Sequence, residues 1–159
     1  MSVVRDILRS YRAPREVFQR RVAGGPREDR ALAVLMGGCV VVFVAQWPRL
    51  TRLAFETGQE LNPLLGGALF AWLFIMPLVL YALGTTMHLL ARAMRGHGSA
   101  YRARFALFWA LLCASPLWLF WGLTVGFIGT GPAVFLTGFI GFAAFLLFWS
   151  INFREAEWG

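Results

Sequence analysis

Few side chains in this chain have the chemistry of a reactive group. There are two histidines, His88 and His97, and two cysteines, Cys39 and Cys113, and no carboxylate falls inside a long apolar run. The run Gly96-His97-Gly98-Ser99 puts a hydroxyl near an imidazole, but His97 has no acid beside it to orient the ring for nucleophilic catalysis. The same run has the glycines of a phosphate cradle without a preceding strand or a lysine, so it fails as a nucleotide loop. It reads instead as a helix stop followed by Ser99 as the N-cap of the next helix. His88 lies near the end of an apolar segment with no carboxylate or second histidine close in sequence to tune it, so a headgroup or backbone contact is expected there, not proton transfer. Cys39 and Cys113 have no metal-ligand spacing and make no disulfide framework, and they read as small packing residues. No catalytic residue, metal ligand or cofactor is expected.

The clearest chemical capacity lies in the arginines. They number 15, there is no lysine, and the net charge is +7. That bias fits a GC-rich bacterial genome. A guanidinium grips phosphate oxygens in pairs. A basic chain can use this on nucleic acid, but these arginines flank apolar runs, so anionic lipid headgroups are the expected partner and nucleic acid is not. Arg5, Arg9 and Arg12 take one face of a segment whose other face is Val3, Val4, Ile7, Leu8 and Tyr11. Such an amphipathic helix can lie in the membrane interface or fold back on the protein, and both need the same stripe. The helix start at Ser99, with Arg102 and Arg104, is a second candidate for a lipid phosphate.

The elements that must carry these groups are membrane spans. The chain is 58% hydrophobic and only 14% charged, with a mean hydropathy of +0.63, whereas about a quarter of a soluble domain is charged. The expected fold class is all-α: a polytopic membrane protein with four transmembrane helices as two hairpins behind an N-terminal amphipathic helix. Residues 1–30 form a cytoplasmic lead, residues 31–153 the membrane domain, and residues 154–159 a cytoplasmic tail. The spans are expected at about 31–47, 64–90, 105–127 and 133–151. The first begins too late for a secretory leader, so direct insertion is expected.

Breakers and small residues shape these spans. Pro48 should end the first, leaving a hydrophilic link over 49–62 with a short interfacial helix closed by Gly58. Pro77 and Pro116 should kink the second and third spans, with Ser115 placed to bond a freed carbonyl. Gly37, Gly38, Gly122 and Gly126 are the expected helix-packing positions: the first two would let another helix approach closely, and the last two form a GxxxG pair that could also serve dimerisation or docking. Trp47, Trp118 and Trp121 fall toward one interface and Trp109 and Trp149 toward the other, as an anchoring belt. Arginines are crowded into the N-terminal lead and the central loop; only Arg49 and Arg52 sit in an opposite link. The positive-inside rule then places both termini and the central loop in the cytoplasm.

Three stretches belong together: Pro14-Arg15-Glu16-Val17-Phe18, the loop Gly96-His97-Gly98-Ser99-Ala100-Tyr101, and the small-residue span from Phe105 to Pro116. In combination they resemble the bacterial branch of the Yip domain family, integral membrane proteins named for interaction with Ypt/Rab GTPases. The resemblance implies an integral membrane protein without catalytic residues. It does not transfer Rab binding, since four spans are visible where eukaryotic relatives have five and the long acidic N-terminal region is missing.

The functional expectation is a non-enzymatic protein of the bacterial inner membrane that scaffolds a partner or organises the bilayer, with a membrane protein or a second copy as further partners. The alternatives are a small channel or carrier lined by the broken spans, and an accessory subunit of a larger complex. Apart from His88 near the end of the second, no acid or base lies within the spans, which speaks against a proton-coupled carrier.

Overall fold

The computed structural model describes residues 2–159. Among these there are helices and no strand. Two short helices, α1 (Val3–Ser10) and α2 (Pro14–Val22), come first. The long helix α3 (Glu28–Thr57) follows. Next come α4 (Leu61–Phe70), a π-helical turn (Ala71–Ile75) and α5 (Met76–Ala93), which together make one continuous rod. Then come α6 (Ala100–Ile128) and α7 (Pro132–Trp158). Four of these rods are long and apolar enough to cross a membrane, so the chain is an all-α, multi-pass membrane protein.

Two expected boundaries are corrected. Pro48 does not end the first span: α3 runs through it and stops at Gly58, whose φ of 67° is the left-handed cap that glycine adopts without strain. Proline removes one backbone donor, a loss that a helix packed against a neighbour tolerates. The link thus shrinks from 49–62 to residues 58–60. The tail at 154–159 is corrected as well, because α7 continues to Trp158. Residues 152–158 contain neither glycine nor proline to stop it.

Within lipid, burying apolar side chains gives little drive for helices to associate, so small residues set how closely they pack. α3 and α6 cross on such residues. A Cβ added at Gly38 would stand 3.2 Å from the Leu111 side chain. One at Gly122 would stand 2.9 Å from the carbonyl carbon of Ala45 and closer still to its oxygen. One at Gly126 would stand 3.2 Å from the carbonyl carbon of Pro48. Gly37 meets only the Leu112 side chain, at 3.9 Å. The GxxxG pair therefore packs helices, as expected of it, but against the chain's own first span, so it is not an open face for docking.

The prolines are accommodated locally. α6 passes through Pro116, and the Leu112 carbonyl that Pro116 cannot serve accepts the Ser115 hydroxyl at 2.7 Å. Pro77 removes the donor for Leu73, and the turn just before it is π-helical, the usual way a helix absorbs such a fault.

α6 is the axis of the bundle. Every residue from Phe105 to Ser115 is buried, while most of those beyond Pro116 are partly or fully exposed. The enclosed half is wrapped by α3, α5 and α7 and also by the two N-terminal helices, since Val17 and Phe18 share one core with Phe105, Trp109 and Phe148. Part of the N-terminal segment therefore completes the core. The outer halves of α4, α6 and α7 present Phe70, Phe127, Phe135 and Phe139 outward, as lipid-facing surfaces do.

Candidate functional site

The chemistry gathers at one end of the bundle, where α1, α2, the loop between α5 and α6, and the last turns of α7 meet. The loop is shaped to receive α7. Arg95 takes a φ of 66° and the Gly96 amide donates to the Ala91 carbonyl at 2.8 Å, which closes α5. The His97 amide donates to the Glu157 carbonyl at 2.8 Å. A Cβ at Gly98 would stand 2.9 Å from the carbonyl carbon of Ala156, so only glycine lets the helix end lie flush there. Ser99 accepts the Arg102 amide at 3.2 Å as the N-cap of α6. His97 and Ser99 punctuate the loop and contribute backbone and cap contacts.

His88 does have a carboxylate, contrary to its sequence surroundings. Its Nδ1 lies 2.6 Å from Glu157 Oε1, both side chains are buried, and the pair joins α5 to the end of α7. Sequence reasoning missed it because the partner is 69 residues away and lay in a presumed tail. The missed signal was the continued spacing Phe148, Asn152, Ala156 on α7, which keeps the helix and its buried face going. The other Glu157 oxygen, Oε2, has no hydrogen-bond partner among the described residues. The arrangement is a short, charge-assisted bond when the imidazole is protonated, and it acts as a clasp between helices.

α1 has three faces, not two. Asp6 and Ser10 turn inward and are buried. Arg21 pairs with Asp6 while its guanidinium lies 4.9 Å over the Trp109 ring. Trp109 Nε1 donates to Ser10 Oγ at 3.2 Å, and Ser10 Oγ donates to the Asp6 carbonyl at 2.8 Å. Trp109 is fully buried, which corrects its assignment to an interfacial belt. Just after α1, the Tyr11 hydroxyl donates to the Cys113 carbonyl at 2.7 Å and its ring meets Phe148 edge-on. Burial first, and then the nearby Cys113, push that hydroxyl's pKa above its ordinary value. Val3, Val4 and Leu8 remain exposed on the second face, and Arg5, Arg9 and Arg12 on the third. α1 is thus folded back on the protein through Asp6, Ser10 and the partly buried Ile7, while Val3, Val4 and Leu8 stay exposed.

The arginines divide in the same way. Arg104 pairs with Glu28 and reaches Thr85 at 3.5 Å, and Arg102 donates to the Glu155 carbonyl at 3.1 Å. Arg9 lies 3.8 Å from Glu16, and Arg27 lies 3.0 Å from Asp29. Ser99, Arg102 and Arg104 are thus engaged within the fold. The guanidinium groups of Arg5, Arg12, Arg15, Arg92, Arg95 and Arg154 have no ion-pair or hydrogen-bond partner among the described residues. At the other end Arg49 donates to Gln46 at 3.0 Å. Arg52 pairs with Glu56 at 2.7 Å and donates to the Gly126 carbonyl at 3.2 Å, which caps α6.

Near the two prolines lies a cavity of about 220 Å³ between α3, α5, α6 and α7, lined by Val42, Trp72, Met76, Leu80, Trp118 and Phe145 among other apolar residues. Among the described residues, no three His, Cys, Asp or Glu side chains converge on a metal position. No family model, no curated protein and no solved structure matches the chain.

Proposed function

We propose that this is a non-enzymatic protein of the Yip-like type in a bacterial inner membrane, whose arginine-rich end organises anionic lipid or holds a partner on the cytoplasmic side. The observation that carries the reading is the distribution of unpaired charge. Six arginines without partners gather where the termini and the central loop meet, while both arginines at the opposite end are satisfied within the chain. Free guanidinium groups favour the anionic cytoplasmic leaflet, at about 1 kcal/mol for each basic residue near the surface, and the same asymmetry supports both termini being cytoplasmic. The exposed apolar side of α1 supports it further, since an in-plane helix places its arginines at the headgroups. The channel reading is less favoured, because the cavity near Pro77 and Pro116 is apolar and offers a solute no polar lining.

The test is the melting temperature of the full chain in nanodiscs with and without anionic lipid. The reading expects a higher value with anionic lipid, and a gain that shrinks as salt rises. Equal values at low salt would overturn it.

A further inference from the structure

The turn between α1 and α2 stands off from α7 and leaves a cleft of about 370 Å³, lined by Arg12, Ala13, Pro14, Arg15, Glu16 and Ile151. Its charge is unbalanced. The guanidinium groups of Arg12 and Arg15 have no partner among the described residues, whereas the Glu16 carboxylate lies toward Arg9 at 3.8 Å. Two guanidinium groups at one mouth suit a phosphodiester, which accepts paired N–H donors from each.

The cleft is also held at a defined level. Tyr11, next to the turn, is fixed to the Cys113 carbonyl and to the Phe148 ring. Ile151 is one turn beyond Phe148 on α7, and Arg154 follows a turn later, again without a partner among the described residues. In the other direction α7 shows Leu147, Ile140 and Leu136, all exposed, at helical spacing. Cationic groups therefore sit at the top of an apolar stripe that descends into the membrane. A free phosphate would use only the first part of that surface.

We propose that this cleft is a specific site for one anionic phospholipid of the cytoplasmic leaflet, with its phosphate between Arg12 and Arg15 and one acyl chain along Ile151, Leu147 and Ile140. The proposal rests on the reading that the basic end faces anionic lipid, and it narrows that reading to a single place.

The test is native mass spectrometry of the full chain in mild detergent, titrated with phosphatidylglycerol. The expected result is one binding event tighter than the rest. It should weaken about tenfold or more in R12Q/R15Q, a loss on the scale of one or two charge-assisted contacts. R92Q/R95Q removes the same charge from another part of this end and should leave that event unchanged. I151E keeps both arginines, blocks the chain path, and should also abolish the event. Phosphatidylcholine should bind more weakly, and excess inorganic phosphate should not displace the lipid. Equal weakening in both arginine pairs would overturn the site in favour of diffuse charge, and displacement by inorganic phosphate would overturn the lipid assignment. If no tight event appears while anionic nanodiscs still raise the melting temperature, the site falls and the broader reading stands.

Discussion

Replacing Gly122 with alanine puts the α3–α6 crossing under the most direct strain. The new Cβ would lie 2.9 Å from the carbonyl carbon of Ala45, and closer to its oxygen. Carbon pairs rest at about 3.5–4.0 Å, so the carbon contact alone requires the helices to part by roughly 0.6–1.1 Å, and the nearer oxygen requires more. The obstructing atoms are backbone, so no rotamer change relieves the clash. One added methyl in a filled core costs about 1–3 kcal/mol, and the upper end applies where nothing can turn aside. A loss of about 3 kcal/mol corresponds to a fall of about 6–12 °C in melting temperature for a chain of this length. Gly66 supplies the control: a Cβ there meets nothing within 4 Å, and alanine favours a helix by about 1 kcal/mol over glycine. Cys39 and Cys113 are both buried and unpaired, so a thiol-reactive dye added during heating reads unfolding. G122A should melt well below the parent and G66A at or above it. If the two variants melt together, the crossing is not as close as the fold requires.

Other expectations follow from single contacts. Removing either member of the buried His88–Glu157 pair should cost about 3–5 kcal/mol, and a double-mutant cycle should show the losses to be less than additive; simple additivity would mean the clasp is not formed. The Tyr11 hydroxyl has its pKa raised by burial, so its contribution is complete below the ordinary tyrosine value of about 10 and is lost as pH rises through the folded-state value. The parent should therefore lose more stability than Y11F between pH 9 and 11, and parallel losses would contradict the assignment. In intact expressing cells, an impermeant maleimide should label Q59C and spare R95C, and the reverse pattern would invert the proposed topology.

The fold was largely legible in the sequence because its main signals are local. Apolar runs mark spans, and arginines cluster at their ends. Ser99 follows a glycine stop and Ser115 precedes Pro116, and both make the contacts that these local rules imply. What was not legible depends on partners distant in sequence. Pro48 looked like a terminus because a proline's local effect is to break a helix, and only packing on Gly126 shows why α3 continues. Gly122 and Gly126 looked available because a motif does not say which helix occupies it. Asp6 and Ser10 were passed over on α1 because the apolar stripe and the arginines already made two faces. Their burial follows from Arg21 and Trp109, one of them 99 residues from Ser10. The His88–Glu157 pair was hidden for the same reason.

The placement of α1 is the feature on which the functional reading turns, and it can be measured at two adjacent residues. Val4 is 65% exposed on the apolar face, and Arg5 is exposed on the arginine face. V4C and R5C can each carry a spin label in the full chain, since both native thiols are buried. Power saturation in vesicles containing anionic lipid should then find the label at position 4 relaxed by oxygen and shielded from an aqueous nickel chelate, with the opposite behaviour at position 5. Equal access of the chelate to both positions would place α1 in water and contradict the account.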